Sequence, residues 1–166
     1  AVVEVSSTFT LTTGEDSGAD FTGTVGNDIY NASVLTANDN DNLDGGDGDD
    51  VLNIETVANI TNLFVTKDIQ TINVNALGAV TVDTASMTGL TGLNVNDGDA
   101  AVTINNISSS ATTVGMKGSA TNSVDLNYAT GALTGSSDTL AVKLNGSTAS
   151  VITADTGFEA VTIETT

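Results

Sequence analysis

Residues 45–53 read Gly45-Gly46-Asp47-Gly48-Asp49-Asp50-Val51-Leu52-Asn53. This is a full copy of the nonapeptide G-G-x-G-x-D-x-U-x, with U apolar. Each part has a mechanical job. The glycines let the chain turn tightly and bring backbone carbonyls inward. Asp50 offers a hard carboxylate oxygen, the kind of ligand calcium prefers. Leu52 turns into a core. Residues 23–31 (Gly23-Thr24-Val25-Gly26-Asn27-Asp28-Ile29-Tyr30-Asn31) lack only the second glycine, and residues 36–44 keep Asp41 and Leu43 but no glycine. The first two copies stand about 22 residues apart, so that Gly23, Gly26, Asp28, Tyr30 and Asn31 recur as Gly45, Gly48, Asp50, Leu52 and Asn53.

Eleven of the 21 acidic residues fall in the first 50 positions: Glu4, Glu15, Asp16, Asp20, Asp28, Asp39, Asp41, Asp44, Asp47, Asp49 and Asp50. Like charges this dense repel one another and need a cation if they are held in ordered turns. The candidate metal ligands are therefore Asp28, Asp50, Asp41, Asp39, Asp47, Asp49 and Asp20, with backbone carbonyls from turns built on Gly23, Gly26, Gly45, Gly46 and Gly48. If coils are about 22 residues long, Asp28 and Asp50 stack on neighbouring coils and can share one calcium ion. Asp41 then belongs to the opposite edge, above Asp20. A plain Gly/Asp turn explains one such loop but not a paired copy at one-coil spacing. Asp97-Gly98-Asp99 is an equally good ordinary turn.

The rest of the composition narrows the function. Three lysines and no arginine give a formal charge of −18, which excludes nucleic-acid or anionic-membrane partners that need a basic patch. Cys, His, Trp and Pro are absent, which removes disulfides, the usual zinc and copper ligands and the usual general base. Serine- and threonine-rich, cysteine-free composition fits an exported bacterial surface protein. No run approaches the roughly 18 apolar residues of a membrane span. The N-terminus does not read as a signal peptide, and the chain reads as a segment of a larger protein.

These chemical groups need a scaffold, and the rest of the chain specifies one. Apolar residues alternate with period two in short Val-, Ile- and Thr-rich runs, which reads as β throughout; a helical turn is admissible only near 83–87 and 155–160. One column of triplets runs Leu52-Asn53-Ile54, Ile72-Asn73-Val74, Leu93-Asn94-Val95, Val114-Gly115-Met116, and a second runs Val80-Thr81-Val82, Val102-Thr103-Ile104, Val124-Asp125-Leu126. Steps of about 20–22 residues in two columns predict an all-β, right-handed parallel β-helix or β-roll, one solenoid domain over residues 1–166. Residues 1–56 form the acidic coils and 57–166 the less acidic ones. The outer residues of each triplet face the core, and Asn53, Asn73 and Asn94 form an outward column able to hydrogen-bond along the axis. Phe9, Phe64 and Phe158 are expected in the core. Beyond Leu126 the beat loosens through Leu140/Val142/Leu144, Val151/Thr153 and Val161/Ile163, with an insertion at 130–137. A β-sandwich gives no reason for a repeated turn and strand.

Residues 22–56 resemble the repeats-in-toxin (RTX) calcium-binding family. Residues 57–166, through Ile72-Asn73-Val74, Gly89-Leu90-Thr91-Gly92-Leu93-Asn94-Val95, Ser137-Asp138-Thr139-Leu140 and Phe158-Glu159-Ala160-Val161-Thr162-Ile163, are similar to coils of Gram-negative surface-layer (S-layer) proteins and large type I-secreted adhesins. The resemblance implies type I export, calcium-driven folding outside the cell, and lattice or matrix formation. The chain departs from the toxin pattern in having one perfect nonapeptide, a step near 22 and no identifiable C-terminal secretion signal.

The function expected is thus structural: an extracellular, calcium-dependent protein of the bacterial cell surface that self-associates. The alternative is an adhesin module binding glycan or protein, with cell-surface polysaccharide as a partner. Catalysis is not expected, since paired carboxylates abound but a β-helix lyase needs Arg or Lys beside its acid substrate. The terminal strands, at 2–12 and 161–166, have little polar capping, so end-to-end joining or a longer parent chain is expected.

Overall fold

Strands form where β-branched and apolar residues alternate with Asn and Thr, and each ends where Gly, Asp or Asn takes over. In a computed structural model, which describes residues 5–96, 100–118, 123–146 and 151–165, these runs become fourteen strands. Eight form one sheet: β1 (Thr8–Thr10), β2 (Ile29–Ala32), β4 (Val51–Thr56), β6 (Thr71–Ala76), β8 (Gly92–Asn96), β10 (Thr113–Lys117), β12 (Thr139–Asn145) and β14 (Ala160–Thr165). Four form a second: β7 (Val80–Asp83), β9 (Val102–Ile107), β11 (Val124–Tyr128) and β13 (Ile152–Ala154). The third pairs β3 (Asn42–Asp44) with β5 (Val65–Lys67). Every pairing is parallel and joins one coil to the next, so the chain is a β-solenoid of about 7 turns with about 21-residue spacing.

The core is a set of axial columns. Tyr30, Leu52, Ile72, Leu93, Val114 and Val142 stack in register, and all are buried. Val80, Val102 and Val124 face them from the second sheet. Leu43, Thr66 and Met87 close the third side. The alternation of β4 and β6 puts Leu52, Ile54, Ile72 and Val74 inward and the asparagines outward. There the amides form a ladder. Asn53 Nδ2 donates to Asn31 Oδ1 (2.9 Å), Asn73 to Asn53 (2.8 Å) and Asn94 to Asn73 (2.8 Å), across steps of 22, 20 and 21 residues. Phe64 is buried; Phe9 stacks on Tyr30, and Phe158 meets Tyr128 edge-on.

Three expectations are corrected. Residues 83–87 and 155–160 are not helical; Thr84 and Met87 are tied into neighbouring coils, and so short a run cannot carry a helix nucleus alone. The only helical segment described is a 3₁₀ turn at Gly18–Phe21. In the last coils the inward residue is Ile152, paired with Val124, while Val151 is 63% exposed. The step from Val124 to Ile152 is 28 residues, against 22 from Val102 to Val124, and both steps are even, so the even-numbered positions stay inward and the odd-numbered Val151 faces out. The strand expected at 2–12 begins at Thr8 among the described residues; positions 1–4, Asp97-Gly98-Asp99 and Thr166 lie outside them.

The ladder predicts the effect of a single substitution. Asn73→Ala removes two amide bonds on the surface of the sheet and should cost about 1–3 kcal/mol in denaturant unfolding. Unchanged stability would show that the amides contribute nothing to coil stacking.

Candidate metal centre

The acidic turns build one edge of the solenoid. Just before β2, β4, β6 and β12, the chain turns and one side chain points back into the turn. At 28 and 50 that residue is Asp, and both are buried. Asp28 Oδ1 accepts the Ser7 N–H from the coil before, and Oδ2 accepts the Thr24 N–H of its own turn. The Asp28 N–H donates to Asp50 Oδ1 at 2.7 Å. The Asp50 N–H donates to Gln70 Oε1 at 2.6 Å. Four coils are thus joined by one axial series, main-chain N–H to the next side-chain oxygen. Asp28 and Asp50 are stacked neighbours, as their spacing predicts, but their link is amide to carboxylate.

Glycine is required where the turns touch. A Cβ on Gly23 would collide with the Gly45 carbonyl oxygen and lie 2.6 Å from Asp28 Oδ2. A Cβ on Gly45 would collide with both the Asp68 carbonyl oxygen and Asp50 Oδ2. Gly26 lies under Gly48, whose Cβ would come 2.7 Å from the Gly26 carbonyl oxygen. Gly46 sits over the Thr24 carbonyl, at φ 85°. Carbonyl and carboxylate oxygens therefore close on the same points, repeated one coil apart.

The two copies differ in one respect. In the first, Thr24 N–H satisfies Asp28 Oδ2. In the second, the Gly46 N–H turns to Asp44 Oδ1 at 3.1 Å, and Asp50 Oδ2 is buried with no hydrogen-bond partner. A lone buried carboxylate oxygen facing a carbonyl oxygen is an arrangement of acceptors without a donor. It costs free energy as an ion-free site, and its hard oxygens are those that calcium takes. The residues present fit that ion at one point: Asp50 Oδ2 and the Asp68 carbonyl would hold it, while the matching pair one coil back, Asp28 Oδ2 and the Gly45 carbonyl, already has the Thr24 N–H. No three acidic side chains converge on one point among the described residues. A cation here would draw on carbonyls and water as much as on carboxylates.

The electrostatics agree. Burial raises the pKa of the Asp50 carboxyl above its ordinary value, against the lowering effect of the Asp28 N–H, and the charges of Asp28, Asp49 and Asp68 raise it further. Burial, and after it Asp28, Asp50 and Asp44, push the Tyr30 phenol up; its hydroxyl donates to the Asp44 carbonyl at 2.6 Å. Lys67 answers part of this charge, 2.9 Å from Asp44 and 3.2 Å from Asp68.

The other candidates divide by burial. Asp41 is buried on a second edge, accepting the N–H groups of Asp16 (2.9 Å) and Asn38 (2.7 Å). Burial raises its pKa despite those bonds. Its axial partner is Asp16, not Asp20: the 3₁₀ turn lengthens this step to 25 residues and leaves Asp20 exposed. Asp39, Asp47 and Asp49 are exposed. Asp39 accepts the Thr61 hydroxyl, while Asp47 and Asp49 donate their N–H groups to the Thr24 carbonyl and Asn27 Oδ1. Sequence reasoning missed Asp16, Gln70 and the Asp68 carbonyl. It also missed a third axial pair, in which the Asp138 N–H donates to Glu159 Oε2 at 2.7 Å. The one-coil interval from Asp50 points at Gln70; the nonapeptide, which asks for Asp, does not.

Folded Asp50 and Asp41 bind their protons more tightly than the unfolded chain does. The ion-free protein should therefore be most stable near the ordinary carboxylate range and lose stability as pH rises through the folded values. In chelator, these two groups are expected to lower the melting temperature as pH rises above the ordinary carboxylate range. A steady climb above that range would contradict the assignment.

No protein-family model, no curated protein and no solved structure matches this chain.

Proposed function

We propose that this chain is a structural, calcium-stabilised β-solenoid of the bacterial cell surface. The observation that carries the reading is the unpartnered, buried Asp50 Oδ2 set against the Asp68 carbonyl in a glycine cradle. Gln70 supports it. That residue performs the same axial capping as Asp50 with a neutral amide, so capping alone does not require the charge at position 50. A charge retained in a buried turn, on a chain already at −18, is explained by a cation that it binds.

Calcium at extracellular modules binds with Kd of roughly 10⁻⁴–10⁻³ M. Such a site is empty where calcium is scarce and filled outside the cell. At about 100 times Kd, binding stabilises the fold by about 2.7 kcal/mol per site. This is a route to folding after export, in keeping with the resemblance to RTX and S-layer proteins. Self-association would use the solenoid axis: Val161 and Ile163 continue core columns yet stand 60% and 62% exposed on β14. Among the described residues no helix is long and apolar enough to cross a membrane.

The test is Asp50→Asn, which keeps an acceptor for the Asp28 N–H and removes the charge. In chelator the variant should melt at or above the wild-type temperature. In millimolar calcium the wild type should rise by several degrees and overtake the variant, whose gain is smaller. Equal melting of the wild type with and without calcium would remove the proposal.

A further inference from the structure

The outer face of the large sheet carries a second set of polar groups that the calcium reading does not use. Two confluent grooves, of about 380 and 310 Å³, run along the axis on this face and share Asn73 and Asn96. Their floor is the asparagine ladder from Asn31 to Asn94. Each amide has two N–H groups and two acceptor lone pairs, and the ladder uses one donor and one acceptor of an interior member. A second column of Glu55, Asn75 and Asn96 stands beside it; Asn75 Nδ2 donates to Glu55 Oε1 at 3.4 Å, and Asn75 Oδ1 is buried without a hydrogen-bond partner. The ladder stops at Gly115, where any Cβ would collide with Asn94 Oδ1.

That stop opens a trough flanked by Lys117 and Lys143. A chain with three lysines and 21 acidic residues thus places two of its lysines at one end of the face, in a groove that no acidic residue lines, while Glu55 lines the other groove. Lys143 is held loosely, 3.8 Å from Glu164 on the rim. We infer that this face binds an extended anionic polysaccharide of the uronic-acid type, with the amides on its hydroxyls and the two lysines on its carboxylates. Sugar hydroxyls both donate and accept, as the free half of each amide requires. The coil repeat of about 4.8 Å is close to the length of one pyranose unit, so successive amides meet successive sugars. A peptide adding as a strand would need a free strand edge; β4, β6, β8 and β10 are paired on both sides. The acidic edge does not forbid an anion here. Lys117 lies three coils along the axis from Val51, about 14 Å at strand spacing, beyond the Debye length of about 8 Å at physiological salt.

The test is calorimetric titration of the calcium-loaded chain with hyaluronan oligosaccharides, with dextran oligosaccharides as the neutral probe. Hyaluronan should bind more tightly than dextran, and more weakly as salt rises. Lys117→Gln and Lys143→Gln should each cost about tenfold, with circular dichroism unchanged, because both lysines are exposed. Three results would overturn the inference: no hyaluronan binding, equal binding of the two sugars, or undiminished binding by the double lysine variant, which would mean calcium bridging through the acidic turns. Asp50→Asn lies outside the groove, so its melting behaviour reports on the calcium proposal separately.

Discussion

The Asp28 N–H meets the buried Asp50 carboxylate at 2.7 Å, one coil along the axis, and much of the molecule follows from that contact. A solenoid coil touches only its neighbours. Its strands pair through the sheets, but its turns have no sheet to join. At a turn, a main-chain N–H must find another acceptor, because a buried unpaired amide costs as much as a lost hydrogen bond. Here the next coil supplies it from a side chain. Ser7, Asp28 and Asp50 all donate in this way, and the series ends on Gln70. Asp16 with Asp41, and Asp138 with Glu159, repeat the device elsewhere.

The same contact creates a difficulty. An acceptor carried on a carboxylate brings charge into a place water does not reach, and stacked coils bring those charges together. Lys67 neutralises part of the acidic edge from the surface. The Thr24 N–H and hydroxyl satisfy Asp28 Oδ2. Asp50 Oδ2 has neither kind of help, because its turn closes on Asp44 instead. Stability and cation binding are therefore properties of one group. The glycines that let the turns approach are also what expose carbonyl oxygens to that carboxylate.

Most of the scaffold was legible in the sequence because each step of the repeat carries its own evidence. Leu52, Ile72, Leu93 and Val114 keep their interval, and the outward Asn53, Asn73 and Asn94 share it, so columns and ladder followed together. The stacking of Asp28 and Asp50 on neighbouring coils was legible for the same reason, whereas their burial, and that of Asp41, was not. What escaped were residues displaced by local geometry. Asp16 replaces Asp20 opposite Asp41 because the 3₁₀ turn at Gly18–Phe21 takes up extra chain. Ile152, and not Val151, packs against the core because the long 28-residue step from Val124 keeps the even-numbered positions inward, a register that the loosened repeat does not reveal. Gln70 escaped because a motif written for carboxylates does not report a neutral residue in the same mechanical role. The Asp68 carbonyl escaped because backbone oxygens have no sequence signature.

The account rests on an ion beside Asp50, and a crystal structure grown in calcium, with anomalous diffraction measured, tests it most directly. The expected result is an anomalous peak about 2.3–2.6 Å from Asp50 Oδ2 and from the Asp68 carbonyl oxygen. Water or empty density at that point, with a main-chain N–H turned onto Asp50 Oδ2 to satisfy it, would contradict the account.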